Sequence, residues 1–335
     1  MPSSYHGNVL AIKQALTARG IDANELLEES GINLPDYKNG LHRVPDELIL
    51  NFIDLVVRKT DPSISLEAVK CLSPASYHAL GTGLLYSDTL RSFCQRYQRY
   101  FSLISTLFNV EYHETIGTAY LAGESITGDL PNVNNFDSDS FVAMTMKFVR
   151  MICGPHYKPK KVCLSWTPPS ELIGKYREEL DCEIEFSSDK TAVYFEVIDL
   201  DKELPSSNRE LARQSDKTIT EFLEKTGSVD LKSRVYSKLI EFLPSGDCSR
   251  ERVAMSLNMT PSTFHNKLKV EGSNYQDLLD NIRKELAEQY IGKNGISIGE
   301  AAYLLGFTDC SNFSRAFKRW VGMSPREYKS SVKHD

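Results

Sequence analysis

The chain has 335 residues, of which 41% are hydrophobic and 25% charged, so it can bury the cores of about two domains. No apolar run approaches the ~20 residues of a membrane-spanning helix, and the first residues lack a basic stretch followed by an apolar one. We therefore expect no membrane segment, no secretory signal and a cytoplasmic protein. The net charge of −6 is uneven, because the residues from Lys232 onward hold 16 Lys and Arg against 12 Asp and Glu, whereas the preceding 231 hold 23 against 33. The C-terminal part is thus the more basic one, as binding to a polyanion requires.

Residues that would carry metal or catalytic chemistry are scattered along the chain. The seven cysteines form no C-x-x-C pair, and none lies near a histidine at zinc-ligand spacing, which favours free thiols. The sequence also lacks G-x-S-x-G, a glycine-rich phosphate loop and H-E-x-x-H. We therefore predict no catalytic residues, no metal site and no cofactor, and a protein that is not an enzyme.

The first 205 residues combine helical and strand patterns. Apolar residues recur at helical spacing in four segments: Val9–Arg19, Ala23–Ser30, Pro45–Lys59 and Ser140–Ile152. Strand patterns occupy five segments: Leu107–His113, Thr118–Leu121, Val162–Trp166, Glu183–Phe186 and Ala192–Val197. Helices and strands alternate too irregularly for a doubly wound sheet, so we predict an α+β domain over residues 1–205.

Aromatic and methionine side chains are frequent in this domain and could line a small-molecule pocket, although any one of them alone is more often a core residue. The pocket candidates are Tyr97, Tyr100, Phe101, Phe141, Met144 and Phe148. Polar residues then dominate 206–231, which we interpret as a linker that carries one helix over Arg209–Glu224. From Leu231 onward nearly all patterns are helical, which predicts an all-α domain over 232–330.

Two helix-turn-helix patterns lie in this last part, and the clearer one spans Ile296–Pro325. Ser297 and Glu300 form a capping box that begins a short helix, Gly306 ends it, and Asp309 caps the next helix. In that second helix the apolar residues Phe313, Phe317 and Trp320 recur at helical spacing and must face inward. The outward candidates for DNA contact are Ser311, Asn312, Ser314, Arg315, Lys318 and Arg319.

The same design appears at Ser249–Gly272. Ser249 caps one helix, and Thr260 with Pro261 begins a second helix in which Phe264 and Leu268 match the inward phenylalanines downstream. Its outward candidates for DNA contact are Ser262, His265, Asn266, Lys267 and Lys269. Between the two units, Tyr275–Ile291 is predicted as a linker helix of roughly 25 Å, which can hold two recognition helices near successive major grooves.

These residues carry a resemblance to a known family. The run Ala301-Ala302, Gly306-Phe307, Asp309, Ser311, Phe313, Arg315, Phe317, Lys318, Gly322, Ser324-Pro325 and Tyr328 resembles the signature of the AraC/XylS family, and Asn258-Met259-Thr260, Leu268-Lys269 and Glu271-Gly272 resemble its first unit. The resemblance covers about residues 232–330. It implies a transcription regulator that binds double-stranded promoter or operator DNA as a homodimer, and an activator that contacts RNA polymerase.

The N-terminal part is similar to the sensor domain of a subgroup that includes ornithine-utilisation and VqsM-type regulators, a domain labelled arabinose-binding-like. The residues that carry this likeness are Leu80-Gly81, Ser87, Thr89-Leu90, Arg99-Tyr100, Lys161-Val162, Pro168, Leu204-Pro205 and Asn208-Arg209-Glu210-Leu211. The likeness implies that residues 1–205 sense a ligand and dimerise. The acidic balance of this part favours a neutral or apolar effector unless Arg96, Arg99 or Arg150 points inward.

One departure from the family pattern and two alternatives stay open. The first recognition helix has Asn266 where family members commonly place an arginine, and asparagine suits adenine whereas arginine suits guanine. The first unit therefore either reads a different base or mainly clamps the DNA backbone through Lys267 and Lys269. As alternatives to an effector-responsive regulator, the AraC-type module could be fused to an enzymatic domain or to an adaptor for protein partners.

Overall fold

The computed structural model describes residues 3–33, 43–226, 231–292 and 296–332. The chain divides into two compact units, Met1–Phe222 and Leu223–Asp335. Within the described ranges, no helix combines the length and the hydropathy that crossing a membrane requires.

The N-terminal unit mixes helices and short strands, which confirms the predicted α+β class. Its helices are α1 Gly7–Ala18, α2 Ala23–Glu29, α3 Asp46–Lys59, α4 Ile64–Cys71, α5 His78–Leu85, α6 Leu90–Tyr100, α7 Pro131–Cys153, α8 Ile173–Leu180 and α9 Arg209–Thr226, the last of which ends beyond the unit. Its strands are β1 Ser3–Tyr5, β2 Arg43–Pro45, β3 Phe108–Thr115, β4 Thr118–Ser125, β5 Lys161–Cys163, β6 Ile184–Glu185 and β7 Thr191–Phe195.

Among the described residues, five strands form one sheet in the order β3-β4-β7-β5-β6, antiparallel except for the pair β5 and β6. Leu121 of β4 lies opposite Val193 of β7, which in turn lies opposite Val162 of β5. All three side chains are fully buried, so the central strands present one apolar face. Strands β1 and β2 pair with each other in a separate antiparallel ladder.

Helix α7 packs against β4 and β7 of this sheet. Gly123 in β4 permits the close approach, because a Cβ atom there would lie 2.5 Å from Phe108 and 2.7 Å from Phe141 of α7. The two rings pack against each other with 5.3 Å between their centroids. A larger residue at position 123 would displace both rings, so this glycine sets the distance between helix and sheet.

A second part of the core lies among the helices. Helix α1 packs against α4, and both α3 and α4 pack against α7. The buried cluster joins Val9 and Ile12 of α1, Phe52 and Val56 of α3, and Ile64 of α4. Val9 and Ile12 are three positions apart, and Phe52 and Val56 are four apart. The two residues of each pair therefore lie on the same side of their helix.

The first part of helix α9 is held against the N-terminal unit. Arg96 of α6 donates to both carboxylate oxygens of Asp216, at 2.8 and 3.1 Å, and Ile219 is fully buried. The segment 206–231, predicted as a linker, thus contains a helix whose residues up to Phe222 belong to this unit. Ala212 and Ile219 of this helix are buried, so the polar segment packs on the N-terminal unit through part of its length.

The described part of the C-terminal unit is helical, which confirms the predicted all-α domain. Its helices are α10 Leu231–Phe242, α11 Arg250–Ser256, α12 Pro261–Val270, α13 Tyr275–Gly292, α14 Ile298–Leu304, α15 Cys310–Val321 and α16 Pro325–Val332. Two apolar clusters form, one among α10 to α12 and one among α14 to α16. Helix α13 supplies Leu279 and Ile282 to the first cluster and Ala287 and Ile291 to the second, so it is a core element of both helix-turn-helix units.

Helix α7 differs most from its prediction, because it begins at Pro131 and not at Ser140. Two polar residues in its first half, Ser138 and Asp139, are buried and therefore interrupt the apolar pattern that sequence reasoning follows. Asp139 accepts hydrogen bonds from Trp166 at 3.0 Å and from Tyr176 at 2.5 Å, and these donors lie far away in the sequence. Helices α4 to α6 and α8 were not predicted from the sequence.

Candidate DNA-binding surface and ligand cavity

The second helix-turn-helix unit begins with the predicted capping box. The Glu300 amide donates to Ser297 Oγ at 3.1 Å, and the Ser297 amide donates to the Glu300 carboxylate at 2.7 Å. That backbone hydrogen bond lowers the pKa of Glu300. The turn contains Gly306 with a φ of +73°, and Asp309 then accepts from the Asn312 amide at 2.7 Å to cap α15.

Helix α15 has the predicted two faces. Phe313 and Phe317 are fully buried, and Trp320 is partly buried. We call the opposite side the α15 face; its residues Ser311, Asn312, Arg315, Lys318 and Arg319 are exposed, and Ser314 is half-buried. The structure therefore presents all six predicted residues along one helix that has a polar and basic outer side.

The three cations of the α15 face have different surroundings. Arg315 donates to Asn312 Oδ1 at 2.6 Å, which directs its guanidinium toward the N-terminal end of the helix. Arg319 forms an ion pair with Asp280 of α13 at 2.8 Å. Within the described ranges, the side chain of Lys318 makes no hydrogen bond or ion pair. Arg315 and Lys318 are thus available to a ligand, whereas the charge of Arg319 is already partly compensated.

The first helix-turn-helix unit repeats this arrangement with a different turn residue. Asn258, with a φ of +56°, occupies the left-handed position that Gly306 occupies in the second unit. Thr260 Oγ1 accepts from the Thr263 amide at 3.2 Å and caps α12 at Pro261. Sequence reasoning had not assigned this role to Asn258, although asparagine is the residue that replaces glycine most readily in such a turn.

Helix α12 presents its predicted residues on one side, here called the α12 face. Phe264 and Leu268 are buried, and the α12 face of exposed residues consists of Ser262, His265, Asn266, Lys267 and Lys269. In the described structure, the side chains of these five residues make no hydrogen bond or ion pair with the protein. They are therefore free to meet a ligand without breaking an internal contact.

Two further exposed residues occupy equivalent places that sequence reasoning missed. Met255 of α11 and Tyr303 of α14 both follow their N-cap serine by six positions, and each is 71% exposed. The first helix of a helix-turn-helix crosses the DNA backbone, which makes these two exposed side chains candidates for contact with sugar and phosphate. The signal in the sequence was the equal distance from Ser249 and Ser297.

Two charged residues of the C-terminal unit stabilise its fold and belong to neither the α12 face nor the α15 face. Arg283 of α13 lies 4.6 Å from the centroid of Phe307 and donates to the Leu305 carbonyl at 3.1 Å. Glu271, just after α12, accepts the Leu231 amide at 2.8 Å and so caps the N-terminus of α10. The first recognition helix is thereby tied to the beginning of its own unit.

The N-terminal unit contains a cavity of about 70 Å³ between its helices and its sheet. Four of the predicted pocket residues line it, namely Tyr97, Phe101, Phe141 and Met144. The other two, Tyr100 and Phe148, are each 2% exposed and do not border it. Phe148 instead packs on Tyr77 with 5.7 Å between ring centroids. The guanidinium carbon of Arg99 lies 5.7 Å from the ring centroid of Tyr100.

Among the described residues that line this cavity, one bears a carboxyl group, and the sequence does not predict it. Asp137 of α7 lines it together with the aromatic side chains, and Ser125 Oγ donates to Asp137 Oδ2 at 3.2 Å. Burial raises the pKa of Asp137 to about 7. No pattern in the sequence distinguishes this aspartate from the neighbouring Asp139, which is held by three donors outside the cavity.

Comparisons with known proteins follow the same division of the chain. The family model of the N-terminal arabinose-binding domain of AraC transcription regulators matches residues 20–204, and a helix-turn-helix domain model matches residues 253–331. The chain is 34% identical over 193 residues to the HTH-type transcriptional regulator VirS of Mycobacterium tuberculosis, a stretch that covers 56% of this chain and 55% of VirS. The chain thus spans about half the length of that relative.

Two relatives from Pseudomonas aeruginosa show the same likeness. The ornithine utilization regulator is 24% identical over 275 residues, covering 81% of this chain and 79% of its own. The HTH-type transcriptional regulator VqsM is 29% identical over 92 residues, or 28% of each chain. Because the arabinose-binding domain model alone matches more than half of the sequence and the helix-turn-helix model follows it, the chain belongs to the AraC family of transcription regulators, a family of regulators and not of enzymes.

Proposed function

We propose that this chain is a cytoplasmic transcription regulator that binds specific double-stranded promoter or operator DNA through the α12 and α15 faces. The observation that carries the proposal is the pair of equivalent helices, each with a buried aromatic or aliphatic side and an exposed polar side, built on one shared helix. Helix α13 has 18 residues and thus a length of roughly 27 Å. A rod of that size suits two helices that enter successive major grooves, which lie ~34 Å apart.

The two faces would divide the work of recognition. Arg315 is exposed and directed by Asn312, and a bidentate guanidinium reads guanine well. Asn266 occupies the equivalent position on α12, where its amide suits adenine or leaves the unit as a backbone clamp with Lys267 and Lys269. Ser262, His265, Ser311, Ser314, Lys318 and Arg319 would add phosphate and sugar contacts.

The N-terminal unit would sense a small effector and dimerise the protein. The aromatic lining of the cavity supports an effector whose larger part is apolar. At about 70 Å³ the cavity is smaller than the ~300 Å³ at which pockets for larger ligands begin, so a large effector would need to widen it. Effector binding would shift the arrangement of the domains and so the avidity of the paired DNA-binding domains. Activation through contact with RNA polymerase would follow from that arrangement.

Selection from a randomised duplex library with the full-length protein tests the DNA-binding part directly. The selected duplex should bind at least ~10³-fold more tightly than a scrambled duplex, measured by fluorescence anisotropy. The double variant Asn266→Ala/Arg315→Ala should lose most of this preference while it keeps binding that depends on salt. Equal affinity for selected and scrambled duplexes would favour the alternative of an adaptor merely tethered to DNA, and turnover of a bound compound would favour the fused enzyme.

A further inference from the structure

The cavity of the N-terminal unit has an uneven chemistry. Most of its wall is aliphatic or aromatic, including Ile12, Phe101 and Phe141. Of the described residues that line it, Asp137 is the one acidic or basic side chain. An effector that filled this space would therefore meet a single ionisable carboxyl group on an otherwise apolar wall.

The carboxylate of Asp137 is poorly satisfied by the protein. Its two oxygens can accept about four hydrogen bonds, yet the described residues supply one, from Ser125. That donor is shared, because Ser125 Oγ also lies 2.9 Å from Thr127 Oγ1 and has only one proton to give. No Lys, Arg or His among the described residues forms an ion pair with Asp137. Asp137 is half-buried, and a partly desolvated carboxylate without a cation is unfavourable, so the site can gain from a ligand that donates hydrogen bonds.

The arginines that could have suited an anion are committed elsewhere. Arg96 pairs with Asp216, and Arg150 donates to the backbone carbonyls of Glu179 and Leu180. Arg99 does not border the cavity. The described lining thus offers no positive charge to an anionic effector, and its one carboxyl group is of the opposite sign.

We propose that the cavity binds a small primary amine, with the ammonium group on the Asp137 carboxylate and a short aliphatic body against Phe101, Phe141 and Met144. An ammonium group has three donors and no acceptor, which matches a carboxylate that lacks donors. The apolar remainder of such a ligand matches the rest of the wall. The inference rests on the proposed effector site and replaces the expected neutral effector by a cationic one.

The cavity volume limits the body of the ligand. A dry cavity of about 150 Å³ accepts benzene in another protein, whereas this cavity has about 70 Å³. This cavity therefore suits a ligand of roughly half the size of benzene, so the straight-chain amines of one to three carbons, methylamine to n-propylamine, bracket what fits without a large rearrangement. The corresponding n-alkanols have nearly the same shape and no charge, so they are matched control ligands.

The test uses the full-length protein labelled with ¹³C in its methionine methyl groups. Titration with each amine should shift the Met144 signal, whereas Met255 and Met323 in the C-terminal unit report non-specific effects. We expect amines to bind about tenfold or more tightly than the matched alcohols at pH 8, as a charge-assisted hydrogen bond predicts. Equal affinities for amine and alcohol would overturn the proposal.

Variants and pH provide independent measurements. Asp137→Asn should abolish the preference for amines, and Asp129→Asn, at an exposed position, should leave it unchanged. If Asp137→Asn does not fold, the wild-type pH profile decides. Amine affinity should fall from pH 8 to pH 6, because Asp137 takes up a proton near its pKa of about 7 while the amine stays charged, and alcohol affinity should stay constant. An amine preference that persists in Asp137→Asn contradicts the proposal.

DNA binding by the same samples separates this inference from the proposed function. Specific DNA binding without amine preference would overturn the inference and leave the proposed DNA-binding function standing. Amine preference in a protein that binds no specific duplex would uphold the inference and refute the proposed function.

Discussion

Arg315 and Asn266 occupy equivalent positions of the two recognition helices. The Arg315 side chain is hydrogen-bonded within its helix, whereas in the described structure the Asn266 side chain is not. Arg315 is held by Asn312, which is itself bonded to the helix cap Asp309, so the guanidinium is directed before DNA arrives. The equivalent of Asn312 in the first unit is Thr263, whose hydroxyl is bonded to the cap residue and does not reach Asn266. Preorganisation lowers the entropic cost of a contact, so we assign base readout chiefly to Arg315.

The first prediction compares these two residues. Arg315→Ala should cost ~1–3 kcal/mol of specific binding and relax the preference at one base pair, because a bidentate contact to guanine is lost. Asn266→Ala should cost less if the first unit is mainly a clamp. Anisotropy with the selected duplex and its single-base variants measures both, with Arg213→Ala on the exposed side of α9 as a control. An equal or larger loss at Asn266 would refute this ranking.

Salt dependence distinguishes the cations of the α15 face. Lys318→Gln should flatten the slope of log K against log salt by roughly one unit, because one phosphate contact no longer releases a counterion. Arg319→Gln should flatten it less, since Asp280 already compensates much of that charge. Titrations between ~50 and ~200 mM salt give the slopes. If the slope is unchanged for Lys318→Gln, this lysine does not touch the DNA backbone.

At the scale of elements, the turn between the two helices of each helix-turn-helix contains a residue in the left-handed region, Asn258 in the first unit and Gly306 in the second. Gly306 combines two demands, because its φ is +73° and a Cβ atom there would lie 3.1 Å from the Leu243 carbonyl oxygen. Gly322, at the end of α15, has a φ of +86° and nothing within 4 Å of the same position. Substitution of these two glycines therefore distinguishes the cost of backbone strain alone, at Gly322, from the cost of strain together with steric crowding, at Gly306.

The prediction for this pair concerns the stability of the C-terminal unit. Gly322→Ala should lower the free energy of unfolding by ~1–2 kcal/mol, the usual cost of an L-residue in the left-handed region. Gly306→Ala should lower it further, since Leu243 or the turn must also move. Urea unfolding followed by circular dichroism gives both values. A loss at Gly322 that equals or exceeds the loss at Gly306 would show that crowding at the turn is unimportant.

At the scale of the whole molecule, the two units have separate cores and separate tasks. Both apolar clusters of the C-terminal unit include residues of α13. Helix α10 begins at Leu231, whose side chain is 4% exposed and whose amide donates to Glu271. A fragment that begins at the predicted residue 232 would lose this buried side chain. A fragment of residues 223–335 keeps it and retains both DNA-binding faces.

The corresponding prediction is that residues 223–335 bind the selected duplex as a monomer without effector response. Their affinity should be lower than that of the full-length protein by roughly 10² or more, because two linked binding domains gain avidity. Sedimentation and anisotropy of both proteins, with and without n-propylamine, measure association and response. Should the fragment dimerise as well as the full chain, or fail to bind DNA, the division of roles between the units is wrong.

The sequence by itself determined the parts of this protein whose signals are local. Helix caps at Ser249, Ser297 and Asp309 and the spacing of Phe313 and Phe317 identify both helix-turn-helix units, because these signals act within one or two turns of the chain. Helix α7 shows where this reasoning ends, since its buried Asp139 is satisfied by Tyr176 and Trp166.

The tertiary structure alone decided which chemistry each polar or aromatic residue can perform. Tyr97 lines the cavity and Phe148 does not, although both are aromatic and buried in the same domain. Arg319 is paired with Asp280, 39 residues away, whereas Arg315 stays available. Asp137 differs from Asp139 in its exposure and in the donors that other segments bring to it. Burial, pairing and pKa depend on contacts between segments far apart in the chain, and those contacts exist only once the chain has folded.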